Sequence, residues 1–178
     1  VTEQGAGTCT ITASQAGSIC YNAALSVPRS ITINKASQTI TFPTPASQTY
    51  NPGGTFSVSG TASSSLAVTC TASTPTICSV SGTTVTELGA GTCTINATQA
   101  GNVDYNAAPQ VSRSVTIGKA NQTISFPVQT TTSRTYALNG TFAVAPVATA
   151  TSGLAVTYGS ATTGVCTVSG TTVTMVAS

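Results

Sequence analysis

The apolar residues of the chain fall in short runs at every second position. Ile40 and Phe42 alternate with Thr before Pro43 and Pro45, and Phe56 and Val58 follow an Asn51-Pro-Gly-Gly54 turn. Leu66 and Val68 come next, then Cys78 and Val80, which lead into a Ser81-Gly82 turn with Val85 on the return. Cys93, Ile95 and Ala97 alternate with Thr and Asn, and Val111, Val115 and Ile117 close the series. A period of two means that one face of an extended segment is apolar and the other polar, and no stretch shows a helical period. About seven short strands in about 85 residues, with turns roughly every 8 to 12, predict an all-β fold of the sandwich kind. The many threonines agree, because a β-branched side chain suits a strand and a hydroxyl can face water without charge.

The pattern recurs. Residues 1–35 and 85–119 are identical at 24 of 35 positions at an offset of 84. Gln38-Thr-Ile-Thr-Phe-Pro43 returns as Gln122-Thr-Ile-Ser-Phe-Pro127. Leu66-Ala-Val-Thr69 returns as Leu154-Ala-Val-Thr157, and Cys78-Ser-Val-Ser-Gly-Thr-Thr-Val-Thr86 as Cys166-Thr-Val-Ser-Gly-Thr-Thr-Val-Thr174, the offset having grown to 88. A unit is therefore 84–88 residues long, with seams after Lys35 and Lys119. Residues 1–35 form the C-terminal part of one unit, 36–119 a complete unit and 120–178 the N-terminal part of a third. The chain is expected to be a piece of something longer or a processed product, starting at Val1 without a leader pattern.

QTITFP, TYNPGGTFSVSGTASSSLAVT, CSVSGTTVTELGAGTCTI, AGNVDYNAAP and VSRSVTIGKA together resemble bacterial immunoglobulin-like repeats of the Big/MBG type. The resemblance covers all 178 residues. It implies tandem Ig-like β-sandwiches arranged as a rod in a large extracellular or cell-surface protein, used as spacer or stalk. It implies no catalytic site.

Composition narrows the chemistry in the same direction. Five Lys and Arg stand against three Asp and Glu, and His and Trp are absent. Thr and Ser number 37 and 22, so about a third of all residues carry an aliphatic hydroxyl. Without His, the usual Ser-His-Asp and Cys-His nucleophile systems cannot be assembled. Three dispersed carboxylates do not make a Ca²⁺ cage, and a net charge of +2 offers no stripe for nucleic acid. Low charge with a positive mean hydropathy is the opposite of a disordered coil, and the interrupted apolar runs, such as residues 142–150, are too short to span a bilayer. The sequence thus assigns no catalytic residue, no metal and no cofactor, and predicts neither nucleic-acid binding nor membrane insertion.

Six cysteines point to an oxidising compartment. Cys9 and Cys93 are one repeat position and Cys78 and Cys166 another, so a complete unit owns one of each. Within 36–119 this pairs Cys78 with Cys93 across the Ser81-Gly82 hairpin, the alternative being two small buried hydrophobes that never bond. Cys9 and Cys166 are left with partners outside the segment or in a neighbouring chain. Residues 120–178 and 1–35, overlapped at six positions, make one 88-residue unit. Either the polypeptide continues, or separate chains complete one another head to tail by donating strands. Cys20 and Cys70 depart from the repeat, standing where the next unit has Asp104 and Tyr158. They are candidates for an inter-unit disulfide, unless Cys70 faces its own core as a free thiol.

The other candidates read as structural. Glu3 and Glu87 share a repeat position, as do Arg29 and Arg113, which fits a strand-end charge in every unit. Lys35 and Lys119 sit at the seams as solvated residues, although a Lys beside an Asn and a carboxylate is also the make-up of an isopeptide crosslink. Tyr21 and Tyr105, in Tyr-Asn-Ala-Ala, are expected to cap a backbone group rather than stack on sugar. Asn96, Asn121 and Asn139 open glycosylation sequons, which a Thr-rich chain also produces by chance, and the dense Thr and Ser leave O-glycosylation open. The expected function is that of a structural stalk or fibre body whose partners are further copies of the repeat. A strand-complemented filament and an adhesive module for glycan or host protein are the alternatives.

Overall fold

The structure, a computed structural model, describes residue 2 and residues 4–176. Glu3 lies outside the described residues. The chain divides into two compact units, Val1–Ala120 and Asn121–Ser178. Among the described residues every regular element is a strand.

The first unit opens with a two-stranded ribbon, β1 (Gly7–Gln15) and β2 (Ala24–Ile33). It continues with β3 (Ile40–Thr41), β4 (Gln48–Thr49), β5 (Thr55–Ser57), β6 (Thr61–Ala62) and β7 (Thr69–Ala72). Then come β8 (Cys78–Ser81), β9 (Thr84–Glu87), β10 (Gly91–Thr98) and β11 (Val111–Gly118). Residues 36–119 thus hold nine strands where the alternation predicts about seven. The extra elements are the two-residue strands β4 and β6, too short to show any period. Leu66 and Val68 lie outside strands, because Ser65 adopts a φ of 63° and closes a turn on the Ala62 carbonyl at 3.0 Å. The strand there begins only at Thr69.

β10 is the central strand. It pairs antiparallel with β11, from Gly91↔Ile117 to Ala97↔Val111, and on its other edge with β7, where Ala97 faces Cys70. β4 adds to β11 in parallel through Ile117↔Gln48 and Gly118↔Thr49. The second sheet has the order β5-β9-β8, and β3 pairs with β6. Along β10, Cys93, Ile95 and Ala97 are buried while Thr92, Thr94 and Asn96 point away, which is the pleat acting on the sequence alternation. Those side chains meet Val115 and Ile117 of β11, Cys70, Cys78, Val85, Ile40, Phe42 and Val58 in a single core. Side chains of both sheets enclose it, as in a β-sandwich.

The ribbon repeats the β10–β11 pairing 84 residues earlier, from Gly7↔Ile33 to Ala13↔Val27. Its apolar side chains Ile11, Val27 and Ile31 are exposed.

The second unit contains β12 (Ile124–Ser125), β13 (Thr141–Ala143), β14 (Thr149–Ala150), β15 (Cys166–Ser169) and β16 (Thr172–Met175). β12 pairs with β14 as β3 does with β6, and β13-β16-β15 reproduces the order β5-β9-β8. Phe142↔Val173 and Val168↔Val173 correspond to Phe56↔Val85 and Val80↔Val85. Val173 and Ala148 are buried, whereas Ile124, Phe126, Tyr136 and Leu154 are exposed.

Burying an aliphatic side chain contributes about 1.5–3 kcal/mol, so the same residue type carries different weight in the two settings. Ile95→Ala is expected to destabilise the first unit by about 2–5 kcal/mol in urea unfolding. The same change at its repeat counterpart, Ile11→Ala, is expected to cost about 0.5 kcal/mol or less.

Candidate functional site

The chemistry-bearing residues of the first unit gather in two places: the cysteine pair in the core, and the loop between β10 and β11. Cys78 opens β8 and Cys93 lies in β10, so their bond ties the two sheets to each other through the core. Their Cα atoms are 5.7 Å apart, and both residues are fully buried. The pairing predicted between Cys78 and Cys93 is present. Its closed loop spans 15 residues, for which the chain-entropy argument gives about 3 kcal/mol of stabilisation.

The other four cysteines are free. Cys9 is half-buried in β1, at the register position of Cys93. Cys166 is half-buried at the start of β15, at that of Cys78, with its Sγ 3.4 Å from Ser160 Oγ. Cys20 is exposed beyond β1, and Cys70 is buried in the core opposite Ala97. No bond joins Cys20 to Cys70 in this structure, and Cys70 occupies the free core position. Burial pushes its thiol up, because a thiolate there would lose its water.

The loop between β10 and β11 is built on the buried Gln38, just ahead of β3. Its Nε2 donates to Gln99 Oε1 at 2.7 Å and to the Asn106 carbonyl at 2.6 Å, and its Oε1 accepts from Ser64 Oγ. A buried amide with every group paired holds the loop in one position, since an unpaired one would cost its full desolvation. Gly101, at a φ of 78°, lets the loop turn so tightly that a Cβ there would stand 2.7 Å from the Asn106 carbonyl carbon. The Asn102 Oδ1 accepts from the backbone N–H groups of Asp104 and Tyr105 at 2.9 and 2.8 Å.

Around this loop sits the seam between the ribbon and the sheets. Ala36 donates to the Asp104 carbonyl at 2.8 Å and accepts from Asn106 at 2.9 Å, forming a parallel bridge with Tyr105. Lys35 Nζ donates to the Asn102 carbonyl at 2.7 Å, and Asp104 Oδ1 accepts from the Ala6 N–H at 2.9 Å. Lys35 is therefore an exposed seam residue that bonds to a main-chain carbonyl. Lys119 is exposed. Tyr105 serves the seam through its main chain, while Tyr21 is exposed.

Glu87 ends β9 and is buried, accepting from the Asn51 N–H at 2.9 Å, so it fixes the turn before β5. Arg29 is exposed and Arg113 half-buried, and each donates from Nη1 to the preceding carbonyl, at 2.9 and 3.0 Å. Arg134 stacks over Phe142 at 4.6 Å. The tyrosine whose hydroxyl caps a backbone group lies outside the Tyr-Asn-Ala-Ala motif. Tyr158 accepts from the Ala148 N–H at 2.6 Å and packs its ring 5.7 Å from that of Phe126. The signal was its place, since it stands where the preceding unit has Cys70.

Among the described residues, no three His, Cys, Asp or Glu side chains gather to hold a metal ion. No helix there is long and apolar enough to cross a membrane, which leaves a β-barrel unaddressed.

Three outcomes follow from the cysteines. Replacing Cys78 and Cys93 together by Ala should lower the unfolding free energy of the first unit by about 3 kcal/mol in denaturant titration. In the native protein, iodoacetamide should label Cys20 quickly at pH 8 while Cys70 reacts only on unfolding. Because the folded state holds the Cys70 thiol neutral, its contribution to stability is full below the ordinary thiol value of 9.0 and declines as pH rises past it. Cys70→Ala should remove that part of the alkaline loss. No protein-family model matches this chain, and no curated protein matches it.

Proposed function

We propose that this chain is a structural, non-catalytic repeat segment of a long extracellular bacterial surface protein, acting as stalk or as the body of a fibre. In this reading its units are Ig-like sandwiches in tandem. The observation that carries it is the recurrence of strand pairings at fixed offsets. The β1–β2 register equals that of β10–β11 less 84, and the β13-β16-β15 pairings equal those of β5-β9-β8 displaced by 86–88. A unit built once and stacked gains stability from itself and its neighbours, which suits a spacer of adjustable length.

Other features support the same reading. A disulfide across the core suits an oxidising compartment and stiffens a unit whose strands are mostly two to four residues long. Four of the polar side chains hold the backbone: Gln38, Glu87, Asn102 and Asp104 each bond to main-chain groups. A hydroxyl surface with eight charges in 178 residues repels neighbouring copies little at any ionic strength.

Immunogold labelling of intact, unpermeabilised source cells with antibody against residues 36–119 tests the proposal. Decoration of extended material projecting from the cell is the expected outcome. Labelling confined to permeabilised cells would overturn it.

A further inference from the structure

We infer that the β10–β11 loop is the socket with which one repeat unit grips the end of the unit before it, so that consecutive units are joined at a fixed angle. The inference rests on the reading of the chain as a repeat segment and names the surface that joins its units.

The grip acts at two separate points of the preceding unit. At the first, the Ala6 N–H donates to Asp104 Oδ1 at 2.9 Å. Gly5 is part of the fit, because a Cβ there would stand 2.8 Å from the same oxygen. At the second, Lys35 Nζ donates to the Asn102 carbonyl at 2.7 Å, and Asn106 Nδ2 donates to the Lys35 carbonyl at 3.2 Å. Ala36 donates to the Asp104 carbonyl and accepts from the Asn106 N–H, at 2.8 and 2.9 Å. A single attachment would leave a swivel, whereas contacts at residues 5–6 and 35–36 together remove it. Behind the loop, Gln38 Nε2 donates to the Asn106 carbonyl at 2.6 Å, so the grip is anchored on a buried side chain of the complete unit.

The same parts recur at opposite ends of a unit. Gly5-Ala6 and Lys35-Ala36 return as Gly89-Ala90 and Lys119-Ala120, and the loop residues 15–22 return as 99–106. β10 leads from Gly91 towards the loop and β11 returns to Ile117 beside Gly91. The gripped end and the gripping loop of one unit are therefore separated by the eight residues of β10, about 25 Å. A contact between unlike ends is heterologous, and it carries on from one unit to the next. The loop of the β1–β2 ribbon has the same shape. Ser18 N–H donates to the Tyr21 carbonyl at 2.8 Å as Asn102 N–H does to Tyr105 at 3.0 Å. Ser18 Oγ accepts from the Cys20 N–H at 3.2 Å, where Asn102 Oδ1 accepts from Asp104 at 2.9 Å. Gln15 Oε1 accepts from the Gly17 N–H as Gln99 does from Gly101. Cys20 in place of Asp104 removes the carboxylate and keeps the socket, so the residue at this position sets how firmly each joint is held.

The test uses the 178-residue chain, isotope-labelled and weakly aligned for NMR. Residual dipolar couplings from residues 7–33 and from residues 36–118 should fit one alignment tensor. The Ala6, Ala36 and Asn106 amides should be protected from hydrogen exchange. Asp104→Ala should speed exchange at Ala6 about tenfold or more, since a hydrogen bond to a charged acceptor is lost. Asp104→Asn, which keeps an acceptor oxygen, should restore most of that protection. Slow Cys70 labelling in both variants separates loss of the joint from loss of the fold. Two different tensors in the parent chain overturn the inference, and so does an Ala6 exchange rate that Asp104→Ala leaves unchanged. The parent chain carries the decision even where a variant fails to fold. Two tensors with surface labelling of cells retained remove the fixed joint and leave the stalk reading standing.

Discussion

The fold depends on covering one apolar face, that of the β10–β11 pair. Cys93, Ile95 and Ala97 on one strand and Val115 and Ile117 on the other are buried only because the β5-β9-β8 sheet and the Ile40–Phe42 segment lie over them. A two-stranded ribbon by itself is marginal in water, and its register is well specified only when one face is buried. The Cys78–Cys93 bond acts on this same contact, since it joins the covering sheet to the covered strand. In the β1–β2 ribbon, which carries the same alternation, Ile11, Val27 and Ile31 are exposed.

Polar side chains divide into two classes with different work. Thr and Ser cover the outer faces, where a hydroxyl satisfies itself with water or a cross-strand neighbour, as Thr94 does with Ser114 at 3.2 Å. Gln38 and Glu87 are buried, and each is bound to main-chain groups that would otherwise be orphaned. Low charge is thus compatible with a precise fold here because backbone-directed hydrogen bonds take the places that ion pairs hold elsewhere. It also leaves a surface with little to oppose the approach of another copy, which the proposed stalk or fibre role requires.

Much of this was readable along the chain. The alternation in Cys93-Thr-Ile-Asn-Ala97 marks the central strand, and the repeat arithmetic pairs Cys78 with Cys93. Two-residue strands were not readable, because Gln48–Thr49 and Thr61–Ala62 carry no period and exist through their partners Ile117–Gly118 and Ile40–Thr41. Nor was the role of Gln38 readable: a Gln beside a strand looks solvated until the fold brings Gln99 and Asn106 to it from more than 60 positions away. Tyr158 shows the same limit, since its bond to Ala148 depends on a turn rather than on a pattern.

The sequence by itself determined the strand character, through period two, and the identity of segments at a fixed offset, and it offered the Cys78–Cys93 pairing that the structure holds. Only the tertiary structure decided which of those identical alternations are core. Ile95 and Ile11 stand in the same five-residue string, Gly-Thr-Cys-Thr-Ile, and one is sealed while the other faces solvent. The reason is that periodicity fixes which side chains share a face, whereas burial requires a second sheet to arrive on that face. That arrival is a long-range contact which no local stretch of sequence contains.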